Sequence, residues 1–142
     1  MGKRRRMIAT LMKTALRSLA MLMATLFLAS GSLADEAAIR TIIAKFATAK
    51  NFQETEAVVR ELAATGDSSV ARPLTALSDG DLIFRKADSA VFIGKESGQT
   101  VSLLDPLTGE SSGEAAKAEV TKVKVNNGLR RVIRDLISTL TL

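Results

Sequence analysis

Two carboxylates one residue apart, Asp79 and Asp81, flank Gly80 and are the nearest approach in this chain to an acid/base pair. General acid–base work needs two such groups facing one reacting atom; the plainer reading is a solvated stop at the end of a helix. A second pair, Asp105 and Glu110, brackets Pro106 and offers oxygen ligands to a hard cation. Against it stands an Asp-Pro turn whose side chain caps its own backbone. The basic cluster Arg130, Arg131 and Arg134 could meet an anionic headgroup or a phosphate, or be the solvated face of an amphipathic helix. Histidine and cysteine are absent from the sequence. That excludes a Ser-His-Asp triad, an imidazole or thiolate metal site and a cysteine nucleophile. Gly94, Gly98, Gly109 and Gly113 punctuate turns and do not open a helix after a strand, so no phosphate loop is expected. The expectation is a non-enzyme without cofactor or metal, with Arg130, Arg131 and Arg134 as candidate partner contacts.

The elements that must position these residues begin after an export signal. Lys3, Arg4, Arg5 and Arg6 form a basic start, an uncharged apolar run extends from Leu19 to Ala29, and Ser32 and Ala34 flank Leu33 in a small-x-small pattern. This reads as a signal peptide over residues 1–34, cut before Asp35. The competing reading is a retained anchor, but the uncharged run is short of the roughly 20 apolar residues that span a bilayer. The leader also carries the charge asymmetry. Of 20 Lys and Arg, six precede Asp35, and none of the 15 Asp and Glu does, so the remainder holds 14 basic against 15 acidic residues. A nucleic-acid partner needs a basic folded face, and that case disappears with the leader.

Residues 35–142 suit one small α+β domain. From 35 to 80 the period is helical: Ile39, Ile42, Ile43 and Phe46 form one stripe, and Val58, Val59, Leu62 and Ala63 a second, closed by Gly66. Asp67-Ser68-Ser69 supply cap chemistry for a third helix with Val70, Leu74 and Leu77 inward and Gly80 as its stop. The pair Glu54 to Ala64 and Ser69 to Ser78 looks like one unit of a helical repeat, which cannot bury its face alone. Over 81–125 the runs Leu82-Ile83-Phe84, Val91-Phe92-Ile93 and Val101 to Leu104 predict a small antiparallel meander. Lys86 to Ser89 and Lys95 to Gln99 read as turns, Asp105 to Gly109 as a strong turn, and Ser111 to Gly113 as more of that loop. Val120, Val123 and Val125 suggest one more extended piece. Over 126–142, Asn126 and Asn127 cap an amphipathic helix with Leu129, Val132, Ile133, Leu136, Ile137 and Leu140 inward and the arginines outward.

Three stretches occur in a familiar order: Leu82-Ile83-Phe84-Arg85-Lys86-Ala87-Asp88, Asp105-Pro106-Leu107-Thr108-Gly109-Glu110, and Lys122-Val123-Lys124-Val125-Asn126-Asn127-Gly128-Leu129-Arg130-Arg131. In this order the chain resembles the extracytoplasmic N-terminal region of urea-type ABC importer permeases, relatives of the branched-chain amino acid permeases. The resemblance covers residues 35–142, most strongly 80–135. It implies a non-catalytic periplasmic domain that contacts other importer subunits or a solute-binding protein, at the periplasmic side of the inner membrane. Permeases of this family continue into further repeats and a transmembrane bundle, so the resemblance also implies a domain truncated before its pathway. Gly128 stands where the family more often has a longer side chain. The alternative is a free-standing exported binding or adaptor protein.

Overall fold

The computed structural model describes residues 35–140. The expected leader, 1–34, lies outside the described residues. Chain contacts divide the molecule into residues 1–38 and the compact unit Ile39–Leu142, which contains every element discussed below apart from the first residues of its opening helix.

Residues 35–44 are helical (α1), followed by the single turn Lys45–Ala47, α2 (Phe52–Ala64), the single turn Ser68–Val70, and α3 (Ala71–Asp79). Local sequence sets each boundary. Asn51 caps α2 by accepting from the Glu54 amide at 2.8 Å, and the Glu54 carboxylate reaches back to the Lys50 amide. Asp67 accepts from the Ser69 amide at 2.9 Å. Gly80 ends α3 at φ +80, a left-handed conformation that glycine adopts without strain. Pro73 sits in the first turn of α3, where its missing amide costs no helical bond.

Five strands form one antiparallel sheet in the order β4-β3-β2-β1-β5: β1 (Leu82–Arg85), β2 (Val91–Ser97), β3 (Thr100–Leu104), β4 (Ser111–Ala116) and β5 (Val120–Lys122). Together with four α-helices this is the expected α+β architecture. The meander is longer than expected. Lys95 to Ser97 continue β2, leaving Gly98-Gln99 as a two-residue turn, and Ser111 to Gly113 open a strand instead of extending the loop. The segment SSGEAA lacks β-branched and aromatic residues, so nothing local announced a strand. It forms because β3 offers it an edge and Ala115 packs beneath Val101.

The sheet is rolled. The Lys117 amide donates to Gln99 O and Glu119 O accepts from the Lys86 amide, both at 2.9 Å. Two chain steps, at most about 7.6 Å, thus connect opposite ends of β2, which in a straight strand of seven residues would lie about 20 Å apart. Gly94 is the middle residue of β2. A Cβ there would stand 2.9 Å from both Ile83 Cδ1 and Val101 Cγ1, so the glycine lets these side chains close over the bend. Ile83, Val101, Leu103 and Ala115 fill the interior of the roll, with Phe92 and Val120 at its margin.

The other face carries the main core. Leu82, Val91 and Ile93 meet Ile39, Ile43, Phe46, Val59, Leu62, Leu74, Leu77, Leu129 and Ile133. Leu62, Leu74 and Leu77 are wholly buried, each contributing about 1.5–3 kcal/mol relative to exposure. Helix α4 (Asn127–Leu140) packs on both α2 and α3. The apolar face of the helical pair is therefore covered by α4 and the sheet.

Candidate functional site

Each stretch singled out in the sequence closes a junction of this fold. In the turn between β1 and β2, Arg85 Nη2 donates to Asp88 Oδ2 at 2.7 Å and Arg85 Nε to Asp88 Oδ1 at 3.0 Å. The arginine also lies 5.1 Å from the centre of the Phe92 ring. The hydrogen bonds from Arg85 and from the Ala90 amide hold the Asp88 carboxyl down at about 2. Lys86 Nζ reaches Ala118 O at 3.0 Å and so fixes the bridge between β4 and β5.

The Asp105–Glu110 turn joins β3 to β4. The Asp105 amide donates to Glu110 O, and the Gly109 amide to Asp105 O, at 2.8 and 2.9 Å. Asp105 Oδ1 accepts from the Leu107 and Thr108 amides at 2.9 and 3.0 Å. Arg40, from α1, donates to Oδ2 at 2.9 Å. Burial pushes the Asp105 carboxyl up, but Arg40 and the two amides outweigh it, and the group stays below its ordinary value. Oδ1 is engaged by the amides of this turn and Oδ2 by Arg40, which favours the self-capping reading over a cation site. Arg72 Nε donates to Leu107 O at 3.1 Å, and its guanidinium lies where a side chain on Gly109 would project. Two arginines from separate helices thus clamp one turn. Neither was legible as a partner of it, because nothing local marks a residue for a contact so distant in the chain.

At the third junction Asn126 caps α4 by accepting from the Leu129 amide at 2.8 Å. Arg130 departs from the expected outward orientation: it is half-buried, with Nε donating to Ser78 O at 2.9 Å and Nη1 to Asn127 Oδ1 at 3.0 Å. Its position on the helix puts it beside the carbonyl end of α3, which attracts a cation. Arg131 and Arg134 are exposed, as expected.

Asp79 is exposed at the end of α3, and Asp81 gives Oδ2 to Lys95 at 2.9 Å. Asp81 and Glu96 line a cavity of about 250 Å³ in the roll, with Gly94, Val101, Lys117 and Lys122 among its other walls. Glu96 accepts from Lys122 at 3.2 Å and lies 3.5 Å from Lys117. Its carboxyl is held below the ordinary value by Lys122 first and then by Lys117. Each carboxylate of this cavity is thus neutralised by lysine. Among the described residues no cluster of three potential metal ligands occurs.

A larger cleft, about 420 Å³, opens between residues 46–55 and the chain from Thr121 to Lys124. Sequence reasoning missed it, since its walls come from three segments far apart in the chain, residues 46–55, Phe84 and residues 121–124. The only local signal was Phe52, an aromatic placed outside every apolar stripe.

Comparison with protein-family models, curated proteins and solved structures finds no match to this chain.

Proposed function

We propose that this chain is a non-catalytic exported domain of a urea-type ABC import permease, acting by contact with other importer subunits or with the solute-binding protein. One observation carries the reading. The residues that define the resemblance, Arg85 with Asp88, Asp105 in its turn, and Asn126 with Arg130, are engaged with one another or with nearby backbone. Residues spent in this way build a shape and are not left to react with a substrate. The exposed arginines of α4, Arg131 and Arg134, remain as partner contacts. Among the described residues no helix is long and apolar enough to cross a membrane, so in this reading the pathway belongs to partner subunits.

The test is uptake of radiolabelled urea and short amides by source cells with and without the gene. Loss of uptake, restored by the chain supplied in trans, is the expected result; undiminished uptake would remove the importer from consideration. The large cleft favours a second reading, a free-standing exported binding protein. That reading predicts normal uptake together with a ligand retained by the purified chain.

A further inference from the structure

The chain has four phenylalanines after Asp35, and three of them, Phe46, Phe52 and Phe84, line the 420 Å³ cleft. Phe46 is buried at its floor and Phe84 is half-buried beside it. Phe52, at 42% exposure, is the large hydrophobic residue left open to solvent among the described residues. A single exposed phenyl is ordinary. One that stands at the mouth of an aromatic cleft extends its apolar wall, and Val123 continues that wall on the other side.

The polar lining is of one sign. Lys50, Lys122 and Lys124 contribute to the cleft, and among the described residues no acidic one does. Lys122 is engaged with Glu96. Lys50 and Lys124 have no ion pair among the described residues. The nearby Glu54 carboxylate is committed to the Lys50 amide in the cap of α2. The start of α2 also enters the lining through Asn51 and Phe52, and a helix start adds partial positive charge. Thr55 Oγ1 already donates to Asn51 O, so the neutral polar groups are partly satisfied and the free lysines set the electrostatics. The volume falls in the range of small-molecule sites, roughly 300–1,000 Å³.

We infer that this cleft binds a small organic anion with an apolar, ring-sized body and one carboxylate or sulfonate group. The phenyl walls take the body, and Lys50 and Lys124 take the charge. This assignment is independent of the importer reading and stands or falls on the cleft alone.

The experiment titrates the full chain with 8-anilinonaphthalene-1-sulfonate, an aromatic anion whose fluorescence rises in apolar surroundings. One saturable equivalent is expected, displaced by benzoate and not by the neutral isostere benzamide. Phe52→Ala and the double variant Lys50→Glu, Lys124→Glu should each weaken the cleft-bound equivalent at least tenfold, with unchanged far-UV circular dichroism. Should the charge reversal disturb folding, Lys50→Gln with Lys124→Gln serves in its place, with the same expected direction. Equal competition by benzamide would show an apolar patch without anion selectivity and overturn the assignment. So would probe affinity that none of these variants changes.

Discussion

Arg40 and Asp105, separated by 65 positions in the chain, meet at 2.9 Å and tie the first described helix to the turn between β3 and β4. The pair is only partly shielded, with side chains 39% and 24% exposed, so its Coulomb contribution is screened. The two amides that Asp105 also accepts matter more, because removing the acceptor leaves them without a partner. Asp105→Ala is expected to destabilise the protein by about 1–3 kcal/mol, and Arg40→Ala by about 1 kcal/mol or less. Guanidinium unfolding curves of the two variants decide this, and equal losses would show that the ion pair dominates.

Acid should weaken the fold through the same groups. Asp67, Asp88, Glu96 and Asp105 all have folded-state pKa values below their ordinary ones, that of Asp88 down to about 2. A lowered carboxyl contributes stability that is fully present above its unfolded value, near 3.8 for Asp, and is lost as pH falls through the folded value. The melting temperature is expected to be level from pH 7 to about 5 and to fall steeply between about 4 and 2. Asp105→Asn should flatten part of that fall. A variant with an undiminished slope would place the acid sensitivity elsewhere.

The bend in β2 makes a packing prediction. Gly94→Ala puts a methyl group 2.9 Å from Ile83 Cδ1 and Val101 Cγ1 and should cost about 1–3 kcal/mol. Ile83→Val removes one of those two atoms, so the double variant should lose less than the sum of the single losses. A double-mutant cycle reads the coupling; strict additivity would mean that the sheet adjusts without Ile83.

At the start of α4 two substitutions should act in opposite directions. Asn126→Ala removes the cap and is expected to cost about 1 kcal/mol. Gly128→Ala should stabilise by up to about 1 kcal/mol, since its added Cβ meets nothing nearer than Asn126 Oδ1 at 3.6 Å. Thermal unfolding of both variants checks the signs.

The three arginines of α4 can be separated by a paired assay of stability and partner binding. Arg130→Ala should lower stability by about 1 kcal/mol through the lost bond to Ser78 O. Arg131→Ala and Arg134→Ala should leave stability within about 0.5 kcal/mol and weaken only partner capture. A stability loss at Arg134 equal to that at Arg130 would contradict this division.

Where the chain signals locally, the sequence was readable. Asp67 as a cap, Gly80 as a left-handed stop, Asn126 at the start of α4 and the stripe from Ile39 to Phe46 depend on neighbours within one or two turns. Strand β4 was not readable, because its composition opposes a strand and only the edge of β3 recruits it. Arg130 misled for a related reason: helical periodicity gives an outward direction but cannot foresee the Ser78 carbonyl of another helix. The cleft is a product of tertiary structure in the same sense, since Phe52 and Lys124 become neighbours only after the sheet has formed.

The three-residue bridge Lys117–Glu119 also constrains the order in which this molecule can assemble. Hairpins β1–β2, β2–β3 and β3–β4 each join neighbours in the chain and can form within microseconds. Pairing of β5 with β1 is different, since it brings the last strand to the first. With so short a bridge, β4 and β5 cannot both be paired while the sheet is flat. Pairing of β5 with β1 therefore requires a curved sheet, and α4 begins after only four further residues, so the closing strand also sets where that helix starts.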